Sequence, residues 1–250
     1  MALICGTGLL GAGIGSVARE AATAGSYERL ARTTKLPQDA GEATAEDGES
    51  PITARHDWDS LHRANPATGA WLTVDGAAVD LPVVIARDES DQGWYLSHDL
   101  WGQASASGTP FMDWRCESAK APHVCVYAHH MTSSSGMFSR LQGVYEQERF
   151  DTLGTLSWET PGSCVRAAPL CALRVDAGWQ EIQRFDWDTA TTEAQNTELV
   201  AWLKGIAAQA DAIAPNAEGL LGLPTRCFTL VTCSSELARQ RWRTLAIWVC

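Results

Sequence analysis

The sequence has no cluster of basic residues: its 19 Lys and Arg are scattered among 30 Asp and Glu, for a formal charge of −11. A polyanion is bound by clustered Lys and Arg, so no nucleic-acid partner is expected. Long apolar runs are equally scarce. Ala2 to Val17 carries no charge before Arg19 and Glu20 end the run. At about 1.5 Å per residue that run makes a helix of about 24 Å, short of a ~30 Å hydrocarbon core. A secretory segment cut after Ser16-Val17-Ala18 and a short or truncated membrane anchor both fit, with a buried Gly-rich helix as the alternative. The basic flank that the first two normally carry is missing, so an upstream start is expected. Either of those two sends the rest of the chain outside the cell. No internal repeat is visible, and from Leu36 to Arg55 there is almost no large apolar residue. Such a stretch cannot bury enough surface to order itself and reads as a linker.

What is present is ample core material, including 11 Trp. The organisation expected is an apolar anchor or signal segment over 1–25, a linker with a short exposed helix (Ser26 to Lys35) over 26–56, and one folded domain over 57–250. That domain opens with the helical spacing of Trp58, Leu61 and His62. Short β-prone runs then follow: Trp71–Val74, Val79–Ile85, Thr109–Trp114, Val124–His129, Thr155–Trp158, Ala172–Val175, Cys227–Thr232 and Thr244–Val249. Most are separated by Gly, Pro, Asp or Ser. Eight or so short strands in under 200 residues predict a mainly β domain, a closed barrel or sandwich. The best helix is Asn196 to Ile213, with Leu199, Trp202, Leu203, Ile206, Ala210 and Ile213 in phase. Met137 to Tyr145 is a second candidate.

There are eight cysteines. Setting aside Cys5 in the apolar segment and Cys233 as a candidate nucleophile leaves an even six, which in an exported protein suggests disulfides. Order along the chain suggests Cys116–Cys125, Cys164–Cys171 and Cys227–Cys250. Six cysteines allow fifteen pairings, and buried thiols are the alternative for each pair.

Three segments carry chemistry. His123-Val-Cys125-Val-Tyr127-Ala-His129-His130-Met131 and Phe228-Thr-Leu-Val-Thr232-Cys233-Ser-Ser235 are apolar strands ending in a reactive residue, where a scaffold holds a side chain rigidly yet open to substrate. In Arg241-Trp-Arg243-Thr-Leu-Ala-Ile-Trp-Val249, Arg243 stands at the mouth of an alternating strand. If 227–233 and 243–249 form an antiparallel hairpin, Cys233 faces Arg243, and Cys227 lies near Val249 and Cys250. A thiolate attacks a carbonyl far better than a thiol, His exchanges protons near neutral pH, and Arg stays charged to donate to an oxyanion. These types suit acyl transfer, although a Cys ending an apolar strand is more often a packed small hydrophobe. His123, Cys125 and His129 alternate and could share one strand face. No carboxylate or second Cys pair completes a convincing ligand set, so no metal and no cofactor is expected.

At these segments the chain resembles the class B sortases, from about Trp58 to Val249. Asn65-Pro66 through Gly69, Trp71 and Leu72, then Asp80-Leu81-Pro82-Val-Val84, resemble the family's opening "NP…GW…I…YPVV". Trp94-Tyr95-Leu96-Ser-His98-Asp99 and Ser107-Gly108-Thr-Pro-Phe111-Met-Asp113 resemble the next two blocks. Tyr127-Ala128-His129-His130-Met131 resembles "YGHHM", Met137-Phe138, Leu141 and Tyr145 continue that pattern, and Leu230-Val231-Thr232-Cys233 resembles "LSTC". Their order and spacing together are specific. The resemblance implies a closed eight-stranded β-barrel with an N-terminal helix and a helix between the sixth and seventh strands. The strands ending at His129 and Cys233 would lie side by side and parallel. It further implies a cysteine transpeptidase, with Cys233 as nucleophile, His129 as acid/base, and Arg243 as the essential arginine in preference to Arg241 or Arg239. Leu96, Thr232 and Ser234 would line the substrate groove. The implied partners are a surface protein with a C-terminal sorting motif and an amine of peptidoglycan or a pilin. The implied location is the outer face of a Gram-positive-type cell membrane, with N-terminal anchoring. Ala128 replaces the glycine usual before the histidine, Val231 replaces a frequent serine, and the extra cysteines are atypical. A cysteine peptidase or amidase using water and a secreted β-barrel binding module are the rival readings.

Overall fold

Short strands with two apolar faces bury both only if the sheet closes on itself or is covered. This chain closes. The computed structural model describes residues 14–36, 55–116, 118–131, 134–187, 192–222, 224–233 and 241–250. The helices are α1 (Ile14–Thr34), α2 (Trp58–Ala64), α3 (Glu89–Tyr95), α4 (Gln147–Phe150), α5 (Thr192–Ala207) and α6 (Ala217–Leu220). The strands are β1 (Thr68–Val74), β2 (Val79–Ile85), β3 (Phe111–Met112), β4 (His123–Tyr127), β5 (Leu156–Thr160), β6 (Ser163–Asp176), β7 (Ala212–Ile213), β8 (Cys227–Cys233) and β9 (Trp242–Val249). They are ordered β5-β1-β2-β3-β4-β8-β9-β6-β7, and β5 pairs with β6. Eight strands therefore form the expected closed barrel, with two-residue β7 as an outlier on β6.

The barrel is antiparallel except at β2–β3 and β4–β8. Trp71, Trp158, Trp248, Tyr127, Phe111 and Phe228 are among the largest wholly buried side chains. A buried indole must place its N–H. Trp158 donates to the Ala119 carbonyl at 3.0 Å, Trp248 to Gly154 at 2.9 Å and Trp71 to the Asp80 carboxylate at 2.5 Å. The helix between β6 and β8 is present but ends at Ala207, short of the expected Ile213. Asp211 stops it: its N–H donates to the Ala172 carbonyl at 3.0 Å and its carboxylate accepts the Arg174 N–H at 2.7 Å. Ala212–Ile213 consequently pair with β6. Only a 3-10 turn at Ser139–Leu141 and α4 stand near the helix expected over 137–145.

The described residues of the apolar N-terminal segment begin at Ile14, and no helix among the described residues is long and apolar enough to cross a membrane. Helix α1 is longer than the Ser26–Lys35 helix expected, and it is fixed to the barrel by buried Tyr27. Most of the expected linker, residues 37–54, lies outside the described residues. Its flanks meet: Lys35 bridges His56, and the Asp57 N–H donates to the Thr34 carbonyl at 2.7 Å. Glu159 of β5 holds this junction. One carboxylate oxygen accepts the N–H groups of Arg55 (2.9 Å) and His56 (3.0 Å) and the Trp58 indole (3.2 Å), and the other meets His56 Nδ1 at 2.8 Å.

The disulfides expected from the cysteine count are not formed: Cys116, Cys125, Cys164, Cys171, Cys227 and Cys250 stand as thiols. Cys164 and Cys171 lie seven residues apart on one strand, β6. At about 3.3 Å per residue that separation far exceeds the ~7 Å a bridge tolerates between Cα atoms. Cys116 and Cys125 are neighbours, the Cys125 N–H pointing at Cys116 Sγ at 3.3 Å. Cys227 pairs with Val249, one residue from Cys250. Burial pushes the thiols of Cys125 and Cys227 well up, and that of Cys171 to about 12.

Candidate active site

Register brings the three chemistry-bearing segments together. Strand β4 runs parallel to β8, with His123 opposite Cys227 and Tyr127 opposite Val231. The Ala128 N–H extends this pairing to the Val231 carbonyl at 3.3 Å. Two residues beyond Tyr127 and Val231 come His129 and Cys233, so both backbones emerge at the same rim. Strand β9 returns beside β8 with Cys233 opposite Arg243, the register expected for the hairpin. The Cys233 side chain lies outside the described residues, as do Ser234 and Arg239.

His129 is buried, and its Nε2 sits 2.8 Å from the Leu96 carbonyl oxygen. A carbonyl only accepts, so Nε2 carries the hydrogen and proton exchange falls to Nδ1. On another side, a Cβ built on Gly108 would lie 3.2 Å from His129 Cδ2 and 2.5 Å from the Tyr95 carbonyl oxygen. Gly108 also has φ +61°, a conformation that side chains disfavour. Only glycine lets this backbone approach the imidazole. The His129 carbonyl in turn accepts the Phe138 N–H at 3.0 Å, tying down the loop that follows.

Arg243 is 7% exposed, and its guanidinium donates to the Trp242 carbonyl at 3.0 Å. Arg241, the competing arginine, is engaged elsewhere in a 2.5 Å ion pair with Asp176. The Gly178 N–H and Arg241 hold the Asp176 carboxyl below the usual carboxylate range, and the charge of Arg243 adds to this. The rim thus keeps one arginine opposite the cysteine and ties its neighbour to an acid.

Of the expected groove residues, Leu96 is half-buried and contributes its carbonyl to His129. Thr232 is wholly buried, and its Oγ1 has no partner among the described residues. Val231 and Ala128 are buried too. His123, Cys125 and His129 do not form one site. His123 donates from Nδ1 to the Arg184 carbonyl at 3.0 Å and bonds Thr229 Oγ1 through Nε2 at 3.0 Å. Its ring stacks on Phe185 and tilts against Trp202, and burial pushes its pKa down to about 4. No group of three His, Cys, Asp or Glu able to hold a metal occurs among the described residues. Sequence reasoning missed the role of the Leu96 carbonyl and the close approach of Gly108. A backbone acceptor leaves no residue-type signature, and Gly108 announces itself only as a glycine before Thr-Pro.

No protein-family model matches this chain, and no curated protein matches it by sequence. Solved structures do match. Sortase B from Staphylococcus aureus complexed with MTSET aligns over 100% of this chain and 95% of its own, with TM-score 0.67 and 15% identity. Sortase B from Bacillus anthracis aligns over 92% and 96%, with TM-score 0.66 and 17% identity. A Streptococcus pyogenes class B sortase involved in pilus biogenesis aligns over 77% and 96%, with TM-score 0.58 and 23% identity. The chain has the class B sortase fold, as its sequence blocks lead one to expect. At these identities the likeness establishes the fold and leaves the chemistry to the residues.

Proposed function

We propose that this protein is a sortase-type cysteine transpeptidase. The observation that carries the reading is the convergence of His129, Cys233 and Arg243 at one barrel rim through the β4–β8 and β8–β9 registers. In this reading the Cys233 thiol gives its proton to His129 Nδ1, and the thiolate Sγ attacks the carbonyl carbon of a Thr in a C-terminal sorting motif. The resulting oxyanion is met by the Arg243 guanidinium. Collapse breaks the peptide C–N bond, His129 gives its proton to the departing amine, and a thioester remains. An incoming amine attacks the thioester, His129 takes a proton from it, and Cys233 leaves as the thiolate. Atoms and charge balance with no cofactor.

Leu96, Thr232 and Ser234 are the proposed groove residues. Buried Thr232 would act through the wall of the groove, not as an open surface. The substrate is a surface protein bearing the motif, and the acceptor is an amine of peptidoglycan or a pilin. A sortase B solved in complex with triglycine makes an oligoglycine amine the first acceptor to try. The reading puts the enzyme on the outer face of a Gram-positive-type cell membrane, held through its N-terminus, with 57–250 as the catalytic domain.

The test is a panel of sorting-motif peptides incubated with the protein, with and without triglycine, and followed by mass spectrometry. A thioester adduct on Cys233 and an amine-dependent ligated product are expected. Cys233→Ala should abolish both, and Arg243→Lys should slow transfer by about 10²-fold. Hydrolysis that never yields to transfer would make the protein a peptidase. Absence of any adduct across the panel, with Cys233 inert to thiol reagents, would refute the nucleophile assignment.

A further inference from the structure

The imidazole of His129 rests on a stretch of chain with little regular structure of its own. After Tyr95, residues 96–110 run with a single isolated bridge, His98 to Ala104, before β3 begins. Yet this stretch supplies both the Leu96 carbonyl that fixes the ring tautomer and the Gly108 backbone beside Cδ2. A loop left to itself does not hold a ring to the tolerance that proton transfer needs.

One side chain from outside the barrel reaches into it. Tyr27 of α1 is buried, and its hydroxyl meets three groups of this stretch. It accepts the Leu100 N–H at 3.0 Å, and it lies 3.2 Å from the Gly108 carbonyl and 3.1 Å from Thr109 Oγ1. Thr109 Oγ1 donates onward to the His98 carbonyl at 2.9 Å, and the Thr109 N–H donates to the Tyr95 carbonyl at 2.9 Å. The Tyr27 ring lies 5.4 Å from that of Trp101. The phenol thereby joins Leu100 to Gly108 and Thr109; Gly108 itself lies against His129, and Thr109 reaches back to Tyr95 and His98, on either side of Leu96.

We infer that Tyr27 is a positioning residue for His129: its hydroxyl clamps residues 98–109 so that the Leu96 carbonyl and Gly108 hold the imidazole in its Nε2–H form. Tyr27 touches no reacting atom. The inference deepens the transpeptidase reading and rests on it for its catalytic meaning, but the clamp itself is independent of Cys233. It also gives α1 a task in the active site of a barrel that it does not help to close.

The test uses the full chain, with Tyr27→Phe to remove the hydroxyl and keep the ring, and Thr109→Val to cut the relay to His98. Nitrogen-15 NMR of the ring reports the His129 tautomer, and iodoacetamide alkylation reports Cys233 reactivity. Both variants are expected to lower the Nε2–H population of His129 and to slow alkylation at neutral pH by about tenfold. Ser26→Ala, which loses only an exposed intrahelical bond to the Ala22 carbonyl at 3.0 Å, is expected to change neither. A Tyr27→Phe protein that melts earlier but keeps the wild-type His129 tautomer would overturn the inference and leave Tyr27 as a packing residue. Should wild-type Cys233 prove inert, the transpeptidase reading fails while the tautomer measurement still decides the clamp.

Discussion

Acidification should destabilise this protein through His123. The ring is wholly buried on β4, sandwiched by Phe185 and Trp202, and its pKa is pushed from 6.5 to about 4 because burial disfavours the charged form. In the unfolded chain the same imidazole takes up its proton near pH 6.5. The unfolded state therefore binds more protons over this interval, and stability falls as pH falls. The contribution is whole above pH 6.5, declines between 6.5 and about 4, and flattens below that, where both states are protonated. Linkage gives a loss of about 2 kcal/mol between pH 7.5 and 5, and roughly 3 kcal/mol in full. The assay is urea unfolding at several pH values in that interval for wild type and His123→Gln. Differencing the two curves cancels the other titrating groups. The wild type should lose about 2 kcal/mol more than the variant over this interval. Should the variant not fold, the wild-type His123 ring can be titrated by NMR instead. Parallel stability curves, or a His123 ring that titrates near 6.5, would refute the reasoning.

Gly108→Ala should destabilise the protein by at least about 1–2 kcal/mol through its positive φ alone. It should also disturb His129, because the new Cβ forces the Tyr95 carbonyl away; wild-type alkylation kinetics at Cys233 would contradict this. Glu159→Gln removes the charge that four donors around His56 share, and should cost about 1–3 kcal/mol in denaturant melts. Burial raises the Glu159 pKa, but its hydrogen bonds to His56 and the Arg55 N–H outweigh this and hold it below 4.5. Its contribution is accordingly present above that pH and lost below it, and a variant with an unchanged acid limb would sink the assignment. Dithiothreitol should leave the Tm unchanged, since the six cysteines outside the N-terminal segment and the rim stand as thiols; a fall of several degrees would reveal a disulfide.

Much of the barrel is legible in the sequence because strand chemistry is local. Val79–Ile85 is bounded by turn residues and forms β2 over the same residues. The Cys233–Arg243 register follows from counting back along two apolar strands to a shared loop. Helix α3 is not legible in this way: it is seven residues long and lacks an apolar stripe. It stands because Asp88 accepts the N–H groups of Ser90 and Asp91 at 2.9 and 3.0 Å. The C-terminus of α5 escapes detection because Ala210 and Ile213 stay in helical phase while Asp211 is recruited by β6. Cysteine counting fails for a related reason. Parity says nothing about whether two cysteines share one strand, as Cys164 and Cys171 do.

The pairing of β4 with β8 also dictates when the proposed centre can assemble. His123 and Thr229 touch across 106 positions of sequence, and the strands that carry His129 and Cys233 run parallel. Parallel neighbours so far apart must close a long loop before any contact compensates for the lost chain entropy, and such pairings form slowly. The local β8–β9 hairpin can set Arg243 opposite Cys233 early, but no hairpin brings His129 beside them ahead of the β4–β8 pairing. A chain in which β4 and β8 have not yet paired therefore carries Cys233 without His129 beside it. In the proposed transpeptidase reading, reactivity arrives only with that pairing, which protects the nascent chain and its neighbours from each other.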